Sequence, residues 1–215
     1  MSGTYQLVIG NKNTSSWSLR PWLVMKAFGI PFNETLIRLR RPETLAEILR
    51  HSPSGKVPVL NSDGLLVWDS LAIIEYLAEQ HPNKALWPAD AAARAIARCV
   101  SAEMHSAFRA LRDECPMDFV NVVGFPETSA RTLADIGRIV AIWTDCRRRF
   151  GAGGTFLFGS FSAADAMFAP VASRFRSYQV DLGRFGDDGT AARYRDTMMA
   201  MPEMLAWAEG ARAEI

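Results

Sequence analysis

The hydrophobic pattern divides the chain into two unlike parts. Tyr5 to Ile9 is a short, mostly apolar run followed by the polar Gly10-Asn11-Lys12-Asn13-Thr14. A run that brief, bounded by turn residues, reads as a buried strand entering a loop. Leu19, Leu23, Ala27 and Ile30 then recur at helical spacing, with Ser18 as the expected cap, Pro21 in the first turn and Gly29 to Pro31 as the stop. A second strand is expected over 32–39 and a short helix over 43–49, after Pro42. Val57–Leu60 and Leu65–Trp68 flank Asn61-Ser62-Asp63-Gly64 and read as a hairpin with an Asp-Gly turn. Asp69 and Ser70 are N-cap candidates for a helix with Leu71, Ile74, Leu77 and Ala78 on one face, ending near His81-Pro82. The first eighty residues thus predict βαβαββα.

Past Pro82–Pro88 the strand signals vanish, and Ala- and Arg-rich helical patterns cover 89–115, 128–149, 162–178 and 202–213. This change sets the expected organisation: a mixed α/β domain over 1–81, a linker over 82–88 and an all-helical domain over 89–215. Gly151-Ala152-Gly153-Gly154 follows no strand and precedes no Gly-Lys-Ser/Thr, so it reads as a helix terminator and loop.

Composition narrows the partners. Lys plus Arg total 24 against 23 Asp plus Glu in 215 residues, without a basic stripe, which argues against nucleic acid. The three cysteines, Cys99, Cys115 and Cys146, form no close pair and favour a reducing cytoplasm over a disulfide framework. No basic n-region leads an apolar segment at the start, and no run of about eighteen apolar residues occurs, so neither secretion nor a membrane span is expected. His51, His81 and His105 lack ligand spacing, and no metal is expected. Arg38, Arg40 and Arg41 read as a solvated charged loop.

The chemistry concentrates at three points. Thr14-Ser15-Ser16-Trp17-Ser18 lies where the first strand enters the first helix, so hydroxyls and free N–H groups converge at the positive end of a helix dipole and stabilise anions. Holding a thiol as thiolate two pH units below its ordinary value needs about 2.7 kcal/mol. A hydroxyl donor plus a helix N-terminus can supply that; the bland reading is a pair of capping serines. Val57-Pro58 opens a strand with a proline, the placement expected of a cis bond, leaving Val57 N–H and C=O for an extended, peptide-like ligand. Asp69 and Ser70 at the next helix start suit the ammonium and carboxylate of an amino acid, although an Asp-Ser pair is more often only a cap.

Ser15-Ser16-Trp17-Ser18-Leu19-Arg20, Ser54-Gly55-Lys56-Val57-Pro58-Val59-Leu60 and Asp69-Ser70-Leu71-Ala72-Ile73-Ile74-Glu75-Tyr76-Leu77 resemble, in order and spacing, the amino-terminal domain of glutathione transferases. The double serine is most similar to the zeta class. The resemblance implies a thioredoxin-like domain joined to an all-helical domain, a homodimer, and glutathione as co-substrate without metal. It makes Ser15 the thiol-activating hydroxyl assisted by Ser16, places Lys56, Val57 and Pro58 along the tripeptide, and makes Asp69 and Ser70 the γ-glutamyl anchors. Phe161-Ser162-Ala163-Ala164-Asp165 is similar to the family's conserved helix start, and its physics is a capping box.

Departures bear on the second substrate. Trp17 stands where the zeta class has cysteine, and Ser177 where it has a late-helix arginine; Arg174 and Arg176 nearby read as solvated. Trp17, Phe108 and Met117, with His105 and Arg112 at helical spacing on the first helix of the second domain, are the candidate lining for a small, partly apolar electrophile. The readings are therefore a glutathione transferase, a glutathione-dependent isomerase or dehalogenase of zeta type, and a noncatalytic interaction module of the same fold.

Overall fold

The computed structural model describes residues 5–214. Its first part contains β1 (Tyr5–Gly10), α1 (Ser16–Ala27), β2 (Phe32–Ile37), α2 (Thr44–Leu49), β3 (Val59–Ser62), β4 (Leu65–Trp68) and α3 (Ser70–Gln80), in the expected βαβαββα order. The helices that follow are α4 (Ala91–Ser106), α5 (Arg109–Glu114), α6 (Ala130–Phe150), α7 (Ala163–Ser177), α8 (Thr190–Met199) and α9 (Pro202–Arg212).

The strands form one mixed sheet in the order β2-β1-β3-β4. β2 runs parallel to β1, a pairing that requires the crossover supplied by α1, whereas β3 runs antiparallel to β1. Ser62 pairs with Leu65, so Asp63-Gly64 is a two-residue turn with both φ values positive, at 50° and 94°. This is the backbone that an Asp-Gly hairpin favours. Side chains alternate across β1: Leu7 and Ile9 enter the large core shared with the helices, while Val8 packs with Ile37, Ile48 and Val59 under α2.

All eight residues from Ser18 to Met25 in α1 are buried, because α1 lies between α3 of its own domain and α7 of the helical domain. Every residue of α7 except Arg176 is buried too. Such enclosure leaves no polar face, so each polar group inside must find a partner. The Asp165 carboxylate accepts from Leu157 N (3.0 Å), Ser162 N (2.8 Å), Ser162 Oγ (2.9 Å) and Tyr194 OH (3.1 Å). The predicted capping box is thus present at the start of α7. Burial pushes the Asp165 carboxyl up to about 6, against the pull of its four donors.

Several local expectations change. Ser18 is not the α1 cap; Ser15 holds that position, and Ser18 Oγ instead accepts from Gly10 N–H (3.1 Å) at the end of β1. Pro21 lies beyond the first turn, inside the helix. The single helix expected over 89–115 is two, broken at Phe108, whose φ of 60° is left-handed. Neither Gly nor Pro marks that break. Arg112 stabilises it by folding back onto the carbonyls of Met104 and His105 at the end of α4. Helix α8 was not expected: glycines at 183, 186 and 189 precede it, and its buried face is only Ala191, Tyr194 and Met198. The glycine run after α6 is the expected terminator, with Gly151 as the C-cap.

Candidate active site

A cavity of about 610 Å³ lies where the two parts of the chain meet. It is lined by Trp17, Ser54, Lys56, Val57, Pro58, Trp68, Asp69, Ser70 and, from α4, His105. Four separate segments thus converge, among them six of the residues singled out from sequence for the glutathione and electrophile sites in the first domain.

Each segment offers open hydrogen-bonding groups. The N–H groups of Trp17 and Ser18, in the first turn of α1, have no acceptor among the described residues, so this helix end retains its partial positive charge. Val57-Pro58 is cis, and β3 begins only at Val59. Val57 therefore makes no hydrogen bond among the described residues, and its backbone is free for an extended ligand. Asp69 adopts φ 75°, ψ 135°, a left-handed conformation unusual for a residue other than glycine. One of its oxygens caps Leu71 N (2.9 Å), and the other lies 3.3 Å from His105 Nε2 across the cavity.

Ser15 is 6 % exposed and stands behind this wall rather than on it. Its N–H bonds to Asn11 O (2.8 Å) and its Oγ donates to Ser18 Oγ (2.8 Å). Ser16 is half-buried, and its hydroxyl has no partner among the described residues. Ser70 is buried, with Arg20 Nη1 3.5 Å from its Oγ, a long contact.

Sequence reasoning missed a cationic layer beneath the cavity floor. The guanidinium carbon of Arg20 lies 4.3 Å from the Trp17 ring centroid, and that of Arg112 lies 5.2 Å from the same ring. Arg20 is 2 % exposed, its Nε has no partner among the described residues, and burial lowers its pKa to about 9, with Arg112 and Arg174 adding and Asp69 opposing. Arg174 is buried rather than solvated: its Nε donates to Cys115 O (2.9 Å), and burial followed by repulsion from Arg112 lowers it to about 10. Arg176 is half-buried and donates to Phe119 O. The spacing of Trp17 and Arg20, three apart on one helix, was the available signal for the stack.

Of the candidate electrophile residues, Trp17 and His105 meet edge to face at 5.2 Å and line the cavity. Phe108 and Met117 are buried in the shared core instead, and Arg112 is drawn to the α4 carbonyls. His105 is held below its ordinary pKa by burial, which outweighs Asp69, while Arg20 and Arg112 push the same way as burial; it is neutral at pH 7. Its Nδ1 is buried and has no partner among the described residues. Among the described residues no group of three metal-ligating side chains forms, and no helix is long and apolar enough to cross a membrane. The Arg38–Arg41 segment is exposed apart from Leu39.

Comparison with known proteins agrees with this arrangement. The glutathione S-transferase N-terminal domain family matches residues 14–80, and the C-terminal domain family matches residues 89–210. A probable maleylacetoacetate isomerase from Caenorhabditis elegans is 26% identical over 91% of this chain and 88% of its own length. A maleylpyruvate isomerase from a Ralstonia species is 27% identical over 78% and 82%. Among solved structures, a glutathione transferase homologue from Burkholderia with bound glutathione superposes with a TM-score of 0.72 at 22% identity, over 98% of this chain and 99% of that one. A diazinon-metabolizing glutathione S-transferase of the silkworm Bombyx mori has a TM-score of 0.76 at 16% identity, over 98% of both chains. The thioredoxin-like domain, the helical domain and the matched families together place this chain in the glutathione S-transferase family.

Proposed function

We propose that this protein is a glutathione transferase whose reaction takes place in the 610 Å³ cavity between its two domains, divided near 1–81 and 89–215 with residues 82–88 as linker. The observation that carries this reading is the convergence of the open α1 terminus, the unpaired Val57 backbone and the Asp69-Ser70 helix start on one cavity. Those groups fit a γ-glutamyl tripeptide. Val57 pairs with its main chain, Asp69 meets its ammonium, Ser70 with the α3 terminus meets its carboxylate, and Lys56 adds positive charge at the rim. Glutathione supplies a thiol that, held as thiolate, is a nucleophile toward small electrophiles.

Ser15 holds that charge by turning its hydroxyl from Ser18 toward the cavity, a single χ1 rotation, while Ser18 keeps its bond from Gly10 N–H. The unfilled N–H groups of Trp17 and Ser18 and the buried Arg20 cation favour the anion from the same side. Trp17 and His105 form the electrophile's wall. Ultraviolet titration of the bound thiol tests the mechanism: the wild type titrates well below the ordinary thiol value, and Ser15→Ala returns it toward that value. Coincident titrations would refute it. The partnerless hydroxyl of half-buried Ser16 favours a second reading, in which Ser16 shares the donation, and Ser16→Ala in the same titration measures its part.

The relatives named as maleylacetoacetate and maleylpyruvate isomerases support an isomerase variant of this activity. Turnover of an unsaturated dicarboxylate separates it from conjugation. Exposed Leu65 and Trp68 on β4 and Leu45 and Leu49 on α2 support a homodimer, which sedimentation checks. Free cysteines support a cytoplasmic location, and thiolate attack on small electrophiles suits a detoxifying role. Burial pushes Cys115 up to about 11 and Cys146 up to about 12, so these two thiols are inert toward electrophiles.

A further inference from the structure

The loop that carries Ser15 is held largely by the other domain. Residues 11–14 connect β1 to α1, and the polar groups of Lys12, the Asn11 side chain and the Asn13 carbonyl and side-chain oxygens are taken by distant partners. Lys12 N donates to both carboxylate oxygens of Glu214 (3.0 and 2.9 Å), and Asn11 Nδ2 donates to Glu214 Oε2 (3.3 Å). Lys12 O accepts from Trp207 Nε1 in α9 (2.8 Å). Asn13 O accepts from Phe119 N (3.0 Å), and Asn13 Oδ1 accepts from Val120 N (2.9 Å). Within the first domain, Asn11 Oδ1 accepts from Leu39 N (2.7 Å), and the Lys12 ammonium pairs with Glu34. The turn then closes on itself: Asn11 O accepts the N–H groups of Thr14 and Ser15, so the placement of Asn11 fixes that of Ser15.

The clamp is tightly fitted. Lys12 lies 5.8 Å from the Trp207 ring centroid and 5.9 Å from that of Trp22. A Cβ at Gly210 of α9 would fall 2.7 Å from Lys12 Cδ. Trp207 is fully buried, and Asn13 and Glu214 are half-buried. None of these residues lines the cavity, and each reaches Ser15 through the 11–14 loop.

We infer that Trp207, Glu214 and Asn13 are positioning residues for Ser15, so that docking of α9 and of the 118–120 segment sets how well the first domain activates the thiol. The inference rests on the proposed role of Ser15. A loop released at Lys12 and Asn13 samples several placements, and a hydroxyl displaced by a fraction of an ångström gives a weaker bond to the developing anion.

The experiment titrates glutathione bound to full-length Glu214→Ala, Trp207→Phe and Ser15→Ala, with Tyr194→Phe as a destabilised control remote from the loop. Glu214 lies beyond the last helix, so its variant keeps the core intact. Both clamp variants are expected to raise the bound-thiol midpoint by about half a pH unit, which lowers the thiolate-to-thiol ratio about threefold and, at the original midpoint, the thiolate itself about twofold. The kcat falls in proportion and the KM for glutathione changes less than twofold. Glu214→Gln, which keeps an acceptor, recovers most of the effect. A clamp variant that melts lower while its midpoint stays with the wild type and the Tyr194→Phe control overturns the inference, leaving a merely structural contact. If Ser15→Ala itself fails to move the midpoint, the role of Ser15 falls and the inference falls with it; if only Ser15→Ala moves it, the inference alone is lost.

Discussion

Helices α1 and α7 both begin at a serine, both are buried along nearly their whole length, and they pack against each other. Their first turns are opposites. At α7, Ser162 and Asp165 close a reciprocal box, and Ala163 N–H is taken by Leu86 O (2.8 Å). At α1 the N-cap Ser15 makes no capping bond, its hydroxyl is turned to Ser18, and two N–H groups are left open beside a cavity. One terminus spends its donors on stability, while the other keeps them for an anion. The contrast locates function where local rules are left unfulfilled and structure where they are over-fulfilled.

The largest expected effect breaks the closed terminus. Asp165→Ala strands four buried donors and costs about 4 kcal/mol in urea unfolding, while the thiol of bound glutathione titrates as in the wild type. Ser15→Ala does the reverse: kcat/KM falls about 100-fold, or about 2.7 kcal/mol, with the melting temperature hardly changed. Equal losses of stability in the two variants would erase the contrast.

A third helix start lies between these extremes, because Asp69 caps α3 with one oxygen and faces the cavity with the other. Asp69→Asn is expected to raise the glutathione KM about tenfold, near 1.4 kcal/mol, while keeping the cap. Since Asp69 is the group that raises His105, the same variant lowers the His105 titration further by NMR. For the wild type the sign is fixed: His105 has a folded pKa below its unfolded one, so its contribution is present above about 6.5 and is lost as pH falls through the folded value.

The smallest effect sharpens the reading of Asp165. Its carboxyl titrates at about 6 when folded, above the ordinary carboxylate range, so its own contribution is greatest at low pH and declines as pH rises through 6. Tyr194 OH offsets that decline by donating to the charged form. Tyr194→Phe therefore costs about 1 kcal/mol at pH 8 and less at pH 5, measured by denaturation at each pH.

Much of this was legible beforehand because it is local. The Asp-Gly hairpin, the α3 cap at Asp69, the Val57-Pro58 cis bond and the Ser162–Asp165 box each follow from residues within four positions of one another. What escaped notice depends on distant partners. The break at Phe108 is stabilised by Arg112 reaching the α4 carbonyls, and Arg174 reads as a surface cation until Cys115 O and Pro170 O are brought to it. Ser18 looked like a cap because the bond from Gly10 N–H is invisible until β1 is in place. Of the residues singled out, Trp17, Lys56, Val57, Pro58, Asp69, Ser70 and His105 line the cavity, whereas Phe108 and Met117 lie in a core that their spacing suits equally well.

The core that encloses α1 has a thermodynamic corollary. One continuous apolar cluster runs from Leu7 and Ile73 through Leu19 and Leu23 to Trp143 and Phe168, across the boundary that composition marks so clearly near residue 82. A helix solvated on neither side cannot shed its neighbour without exposing the face that α7 and α9 cover. The first domain expressed alone would present that surface to water and aggregate, and the intact chain should melt in a single calorimetric transition.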